Sequence, residues 1–281
     1  MLAALIIVFR EVIEAGLIVG IVLAATKGVA ERGRWVGTGV VGGILGACMV
    51  AAFAGRIANL FSGSGQEIFN ATILLLAVVM LAWHNVWMAG HGREMARHMK
   101  SVGVAVSAGE RPLAALAIVV GVAVLREGSE VVLFLYGIAQ TTTGASMLIG
   151  GGLGLLAGAG TSALMYYGLL AIPAGKLFRT TAWLITLLAA GMAAQAVLFL
   201  QNAGYLNVLT RSLWDTSWLL PDGGEGWRGV LGKMLHTLVG YTAAPDGAQL
   251  ITYLATIVGI VSLMRWERSR RPRGTLVPTP A

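Results

Sequence analysis

The sequence predicts an all-α polytopic membrane protein, with seven transmembrane helices arranged as a 3+3 inverted repeat plus one extra helix. Three observations carry this expectation. Apolar residues fill 57% of the 281 positions, charged residues only 12%, and the mean hydropathy is +0.78, outside the soluble range. Seven apolar runs are each long enough to cross a hydrocarbon core of about 30 Å, which takes about 20 helical residues. One charged motif occurs twice, in the first and fourth of these runs.

The runs are 2–25, 35–57, 67–89, 112–140, 145–172, 181–203 and 247–265. They are too long for the strands of a transmembrane barrel and lack its alternation. Run 2–25 has no basic n-region, and Arg10, Glu11 and Glu14 interrupt what would be the apolar segment of a signal peptide, so it reads as helix 1. What remains is a loop at 90–111, a longer one at 204–246 and an Arg-rich tail, which leaves no room for a soluble domain. Residues 1–281 are thus a single membrane domain: repeat 1 at 1–89, repeat 2 at 112–203, an extracytoplasmic loop at 204–246, a last helix at 247–265 and a cytoplasmic tail at 266–281. Within the long loop, Trp227, Val230, Leu231, Met234, Leu235 and Leu238 recur at helical spacing and predict an amphipathic helix. Cys48, the only cysteine, is expected to be a small buried apolar residue of helix 2.

Cationic residues set the orientation. Lys27, Arg32 and Arg34 follow helix 1, Arg93, Arg97, Lys100 and Arg111 follow helix 3, Lys176 and Arg179 follow helix 5, and Arg265, Arg268, Arg270, Arg271 and Arg273 close the chain. The opposite side has only Arg56, Arg211, Arg228 and Lys233. The positive-inside rule then puts the C-terminus in the cytoplasm and the N-terminus outside, in a cytoplasmic (inner) membrane. The net charge of +7 is accordingly a topology signal, and the basic tail faces anionic lipid rather than nucleic acid.

The repeated motif is Arg-Glu-x-x-Glu. "FREVIEAGLIVG" contains Arg10, Glu11 and Glu14; "LREGSEVVLFL" contains Arg126, Glu127 and Glu130, 116 positions later. Small-xxx-small surfaces follow each copy, with Gly39/Gly43 and Gly42/Gly46 in helix 2 and Gly150/Gly154/Gly158 in helix 5. Helices 1–3 and 4–6 therefore read as two copies, and an odd number of helices per copy makes the second inverted. Both motifs fall near the middle of their runs, where charge is costly and is tolerated facing the bundle interior or a water-filled path. Spacing of three and four residues puts each Arg and its Glu pair on one helix face.

Four carboxylates and two guanidinium groups sum to −2, a charge that a cation would relieve. Carboxylate oxygen suits hard or borderline cations such as magnesium, calcium, manganese and iron. Arg10 and Arg126 would hold the carboxylates in place without the ion. A buried intrahelical ion pair that only fixes packing would explain one motif, but two copies, each with one Glu more than its Arg neutralises, point to cation transport.

At these residues the chain resembles the iron permeases with paired Arg-Glu-x-x-Glu motifs. That group includes the fungal high-affinity permease working with a multicopper ferroxidase and the bacterial permeases of the elemental-iron type. The likeness extends over most of the chain, including "LWDTSWLL", "LGKMLHTLVGY" and "QLITYLA" near the end. The first motif has Val12-Ile13 where many members have Gly-Leu, a departure at non-ligating positions. The resemblance implies iron ions as transported substrate with no permanently bound cofactor, Glu11, Glu14, Glu127 and Glu130 as iron-handling carboxylates, and an extracytoplasmic oxidase or metal-binding protein as candidate partner.

Secondary candidates for the pathway are His84 and Asn85 in helix 3 and Met192 and Gln195 in helix 6. Each has a plain packing alternative. Asp215, Asp222, Glu225 and Asp246 in the outer loop could gather cations, although a solvated loop needs no such role. No HExxH pattern, nucleophile elbow or P-loop is present, which argues against an enzyme and against intrinsic ATP coupling. Two alternatives stay open: the same fold moving another metal such as lead or manganese, and a proton-coupled transporter of an organic cation. The latter would need an aromatic-lined pocket, whereas positions flanking the motifs are aliphatic or small.

Overall fold

The computed structural model describes residues 1–60, 66–139, 143–168, 174–222 and 227–269. Among these the chain forms helices and no strand: α1 Leu2–Ala25, α2 Arg32–Leu60, α3 Gln66–Ser107, α4 Ala114–Ala139, α5 Gly144–Tyr166, α6 Ala174–Asn202, α7 Trp227–Val239 and α8 Gly247–Ser269. Glu225 and the tail residues Arg270, Arg271 and Arg273 lie outside the described residues.

Five helices are long and apolar enough to cross a membrane by length and composition: α2, α3, α5, α6 and α8. The remaining long helices, α1 with 24 residues and α4 with 26, carry the two charged motifs. Their interruption by three charges sets them apart from the five, not their length.

Packing follows the small residues. The glycines of α2 lie against α4: a Cβ on Gly39 would stand 2.6 Å from the Ala117 carbonyl oxygen, and one on Gly43 2.8 Å from that of Gly121. The glycines of α5 lie against α1 in the same way, Gly154 facing the Leu5 carbonyl at 2.6 Å and Gly158 that of Phe9 at 3.0 Å. Only glycine lets the backbones come this close. Gly42, by contrast, faces open space. The motif-bearing helix α1 thus packs on α5 and the motif-bearing helix α4 on α2, while α3 packs on α6.

Two apolar clusters stand above and below the charged residues. One joins Ala3, Ala4 and Ile7 of α1, Leu74, Ala77 and Leu81 of α3, Phe134 and Ile138 of α4 and much of α6. The other joins Ile18 and Val22 of α1, Met99 and Val106 of α3, and Leu116, Val120 and Ala123 of α4. Along α1 and α3 the first cluster precedes the motif level and the second follows it; along α4 the order is reversed, so α4 runs opposite to α1.

The expected loop at 90–111 is helical for most of its length. At about 1.5 Å per residue, the 42-residue α3 is about 63 Å long, twice a hydrocarbon core. Its extension is polar overall but places Met95, Met99, Val102 and Val106 at helical spacing, and this stripe packs on the ends of α1, α2 and α4. Ser107 Oγ donates to the Ala25 carbonyl at 3.0 Å, and Arg32 Nη1 caps the Leu23 carbonyl at 2.8 Å. Cys48 also departs from expectation. It is exposed on the outward face of α2 with Ile44, Leu45, Met49 and Phe53, because a helix apolar all round carries no periodic signal of which face turns inward.

The amphipathic helix expected in the long loop is α7, packed on α6 and α1 with Trp227, Val230, Leu231 and Met234 turned outward. The loop's described acidic residues hold backbone together. Asp246 and Gln249 form a reciprocal capping box at the start of α8, with bonds of 2.8 and 3.2 Å. Asp222 accepts the Ala243 amide at 2.8 Å. Asp215 accepts from Ser217, which holds its carboxyl below the ordinary range.

Candidate metal site

Three helices meet at the motif level, and each supplies charge. On α1, Arg10 Nε stands 2.9 Å from Glu14 Oε1 and Arg10 Nη1 3.4 Å from Glu11 Oε1. On α4, Arg126 Nε stands 3.1 Å from Glu130 Oε1 and 3.9 Å from Glu127 Oε1. Arg10–Glu14 and Arg126–Glu130 are the i,i+4 pairings that the helical spacing predicts. The third contribution is His84 of α3, whose Nε2 lies 3.9 Å from Glu11 Oε2 and 3.8 Å from Glu14 Oε2, and whose Nδ1 contacts Glu130 Oε2.

The motifs converge rather than standing apart. Ligand atoms of Glu11, Glu127 and Glu130 lie within 4.8 Å of one another, and so do those of Glu11, Glu14 and His84. Glu11 belongs to both groups and is 1% exposed. Glu11 Oε2, Glu14 Oε2, Glu127 Oε2 and His84 Nε2 have neither a hydrogen bond nor a close ion-pair contact. Buried polar atoms are usually satisfied, so a concentration of unsatisfied donor atoms on four converging side chains marks a place prepared for something else. A cation with vacant coordination positions is the group that such a donor set would satisfy.

The two halves differ in access. Arg10 is 3% exposed and sealed, whereas the Arg126 side chain is 31% exposed. Arg126 lies in the wall of a cavity of about 480 Å³ bounded also by Val79, Met80, Trp83, His84, Trp87, Glu130 and Phe134. Its guanidinium carbon sits 4.0 Å from the centroid of the Trp87 ring, and Phe134 meets His84 edge-on at 6.1 Å. The cavity opens sideways past the exposed Val79 and Trp83, on the surface a bilayer would cover. Glu11, Glu14 and Glu127 lie behind it.

Of the secondary candidates, only His84 joins the carboxylates. Asn85 turns to α6, donating from Nδ2 to the Ala182 carbonyl at 3.0 Å and to Thr186 Oγ1 at 3.1 Å. Met192 is buried in the first apolar cluster, and Gln195 is half-buried on α6. Sequence reasoning missed the aromatic wall. Apart from Phe9, the neighbours of the motifs along the chain are aliphatic or small, but Trp83 and Trp87 reach the site from α3 and Phe134 from one turn beyond Glu130.

Comparison with known proteins agrees with the resemblance drawn from the motifs. The sequence model of the Iron permease FTR1 family matches residues 1–266. Relatives described as "Ferrous iron permease EfeU" from Escherichia coli O157:H7 and Shigella sonnei (strain Ss046) are each 29% identical over 266 residues, covering 92% of this chain and 93% of theirs. The protein of the same description from Yersinia pestis is 29% identical over 262 residues, covering 92% of this chain and 91% of its own. No solved structure matches the chain.

Proposed function

This chain belongs to the iron permease FTR1 family, and from that premise we propose that it imports iron across a cytoplasmic membrane with high affinity through one intramembrane site built from both Arg-Glu-x-x-Glu motifs. The observation that carries this reading is the position of Glu11, which stands within ligand reach of the second motif's carboxylates and of Glu14 and His84 at once. The carboxylates offer oxygen to the ion, and Arg10 and Arg126 offset their charge between transport events. The relatives' description points to the ferrous ion as cargo, and an extracytoplasmic oxidase or metal-binding protein remains the candidate partner.

The same reading takes α1 and α4 as membrane spans, for seven in all. Exchange of partners between the halves, α1 on α5 and α4 on α2, supports an inverted repeat, as does the opposite run of α1 and α4. The cationic loops put the N-terminus outside. A protease-cleavable tag at the N-terminus is expected to be cut on intact cells; its protection would reverse the topology.

A specific observation keeps a second reading in view. The cavity beside Glu130 has the aromatic wall that an organic cation would use, although Arg126 already occupies the face of Trp87. Proteoliposomes under an inward gradient separate the readings. Saturable accumulation of iron, undiminished by tetraethylammonium, is expected. Accumulation of manganese or lead in place of iron would favour the same fold with another cargo, and accumulation of the organic cation alone would overturn the metal site.

A further inference from the structure

His84 belongs to neither motif, yet it sits where the two meet. It is 3% exposed, comes from the middle of α3, and its Nε2 has no hydrogen bond. We propose that His84 Nε2 is a metal ligand which, with Glu11 and Glu14, makes the site select borderline transition-metal ions over magnesium and calcium. This inference rests on the reading that these carboxylates handle metal, and it deepens that reading by assigning a fifth ligand and a basis for selectivity.

The distances distinguish a ligand from a packing residue. Separations of 3.8 and 3.9 Å between Nε2 and the two carboxylate oxygens are too long for hydrogen bonds. They come close to the spacing of two donors around one ion, because metal–ligand bonds of about 2.0–2.2 Å at the tetrahedral angle place neighbouring donors roughly 3.3–3.6 Å apart, a difference that a side-chain shift of a few tenths of an ångström closes. The far side of the ring supports the assignment. Nδ1 contacts Glu130 Oε2, so a proton on Nδ1 donated to that carboxylate leaves the Nε2 lone pair aimed at Glu11 and Glu14. Carboxylate, imidazole and metal in a row is the usual way a histidine ligand is held in its tautomer and orientation. Phe134, edge-on to the ring, restricts the remaining rotation.

The chemistry follows from the donor set. Oxygen ligands alone suit magnesium, calcium and manganese and discriminate among them weakly, while an imidazole nitrogen favours iron and the later divalent ions. Magnesium is the abundant competitor, so one nitrogen in an otherwise oxygen site can supply discrimination that four carboxylates lack.

The test uses the full-length protein in proteoliposomes, with ferrous iron uptake measured against magnesium and manganese competition, and X-ray absorption of the iron-loaded protein in detergent. Wild-type iron is expected to show the outer-shell scattering of an imidazole ligand. His84→Gln is expected to lose that signature and to lower the preference for iron over magnesium by at least about tenfold. His84→Asp, which restores an oxygen ligand, is expected to recover uptake with the preference moved toward manganese. Unchanged selectivity in His84→Gln, persistence of the imidazole signature in that variant, or an equal fall for all three metals would each overturn the proposal. Should His84→Gln fail to fold, the wild-type spectrum and His84→Asp decide the matter. Glu14→Gln separates the two levels: loss of uptake there with normal His84→Gln behaviour removes only the histidine, whereas normal transport in both removes the metal site itself.

Discussion

Glu14→Gln and Glu130→Gln are each expected to reduce iron uptake at least about 10–100-fold, the range seen when a group supporting a metal is removed, while the protein remains inserted and monodisperse. The amide keeps the size of the carboxylate and discards its charge and one of its two acceptor oxygens. Folding should survive because the cation left behind keeps a partner: Arg10 retains Glu11 at 3.4 Å, and Arg126 is partly exposed and stacked on Trp87. Glu11→Gln is expected to be the most damaging of the series, since Glu11 is shared by both ligand groups. Uptake is measured in vesicles normalised to inserted protein, and normal transport by either Glu14→Gln or Glu130→Gln would sink the assignment of these carboxylates.

The elements legible in the sequence are those whose signal is local. Arg10 and Glu14, and Arg126 and Glu130, pair because residues four apart share a helix face, and charges in the middle of an apolar run announce a polar interior. Glycine spacing likewise marked the faces of α2 and α5 that the backbones of α4 and α1 approach. The rest depends on how helices are rotated against one another. Helix α3 is apolar around its whole circumference at the level of His84, so nothing in its periodicity says that His84 turns inward while Trp83, 74% exposed, turns out. Cys48 on α2 was misplaced for the same reason. Trp87 and Phe134 became visible as a wall only once α3 and α4 were side by side.

The placement of the clusters gives the site its electrostatic character. Apolar side chains close the bundle on either side of the charged layer, so the carboxylates interact with one another and with Arg10 in surroundings of low dielectric, where each pairing counts for more than at a surface. A breach lies on the second motif's side, through the cavity that Arg126 and Glu130 line. The two arginines are therefore equivalent in sequence and different in environment.

Arg10→Met and Arg126→Met are accordingly expected to differ widely in stability. Removing Arg10 leaves Glu11 and Glu14 buried with no guanidinium beside them, and stranding a buried charge in this way costs about 3–5 kcal/mol. Removing Arg126 forfeits a stacking contact and a charge-assisted hydrogen bond at a position that is only partly buried, roughly 1–3 kcal/mol in all. Glu14→Gln added to Arg10→Met should restore part of the loss, because the amide needs no counter-charge, whereas Glu14→Gln in the wild-type background should stabilise less or not at all. Thermal midpoints of the purified variants in one detergent, with yield of monodisperse protein as a second readout, compare the four. Equal destabilisation by the two arginine substitutions would mean that the sealed and open halves of the site are energetically alike. A double variant no better than Arg10→Met would mean that Arg10 acts on the fold through its packing and not through the charge of Glu14.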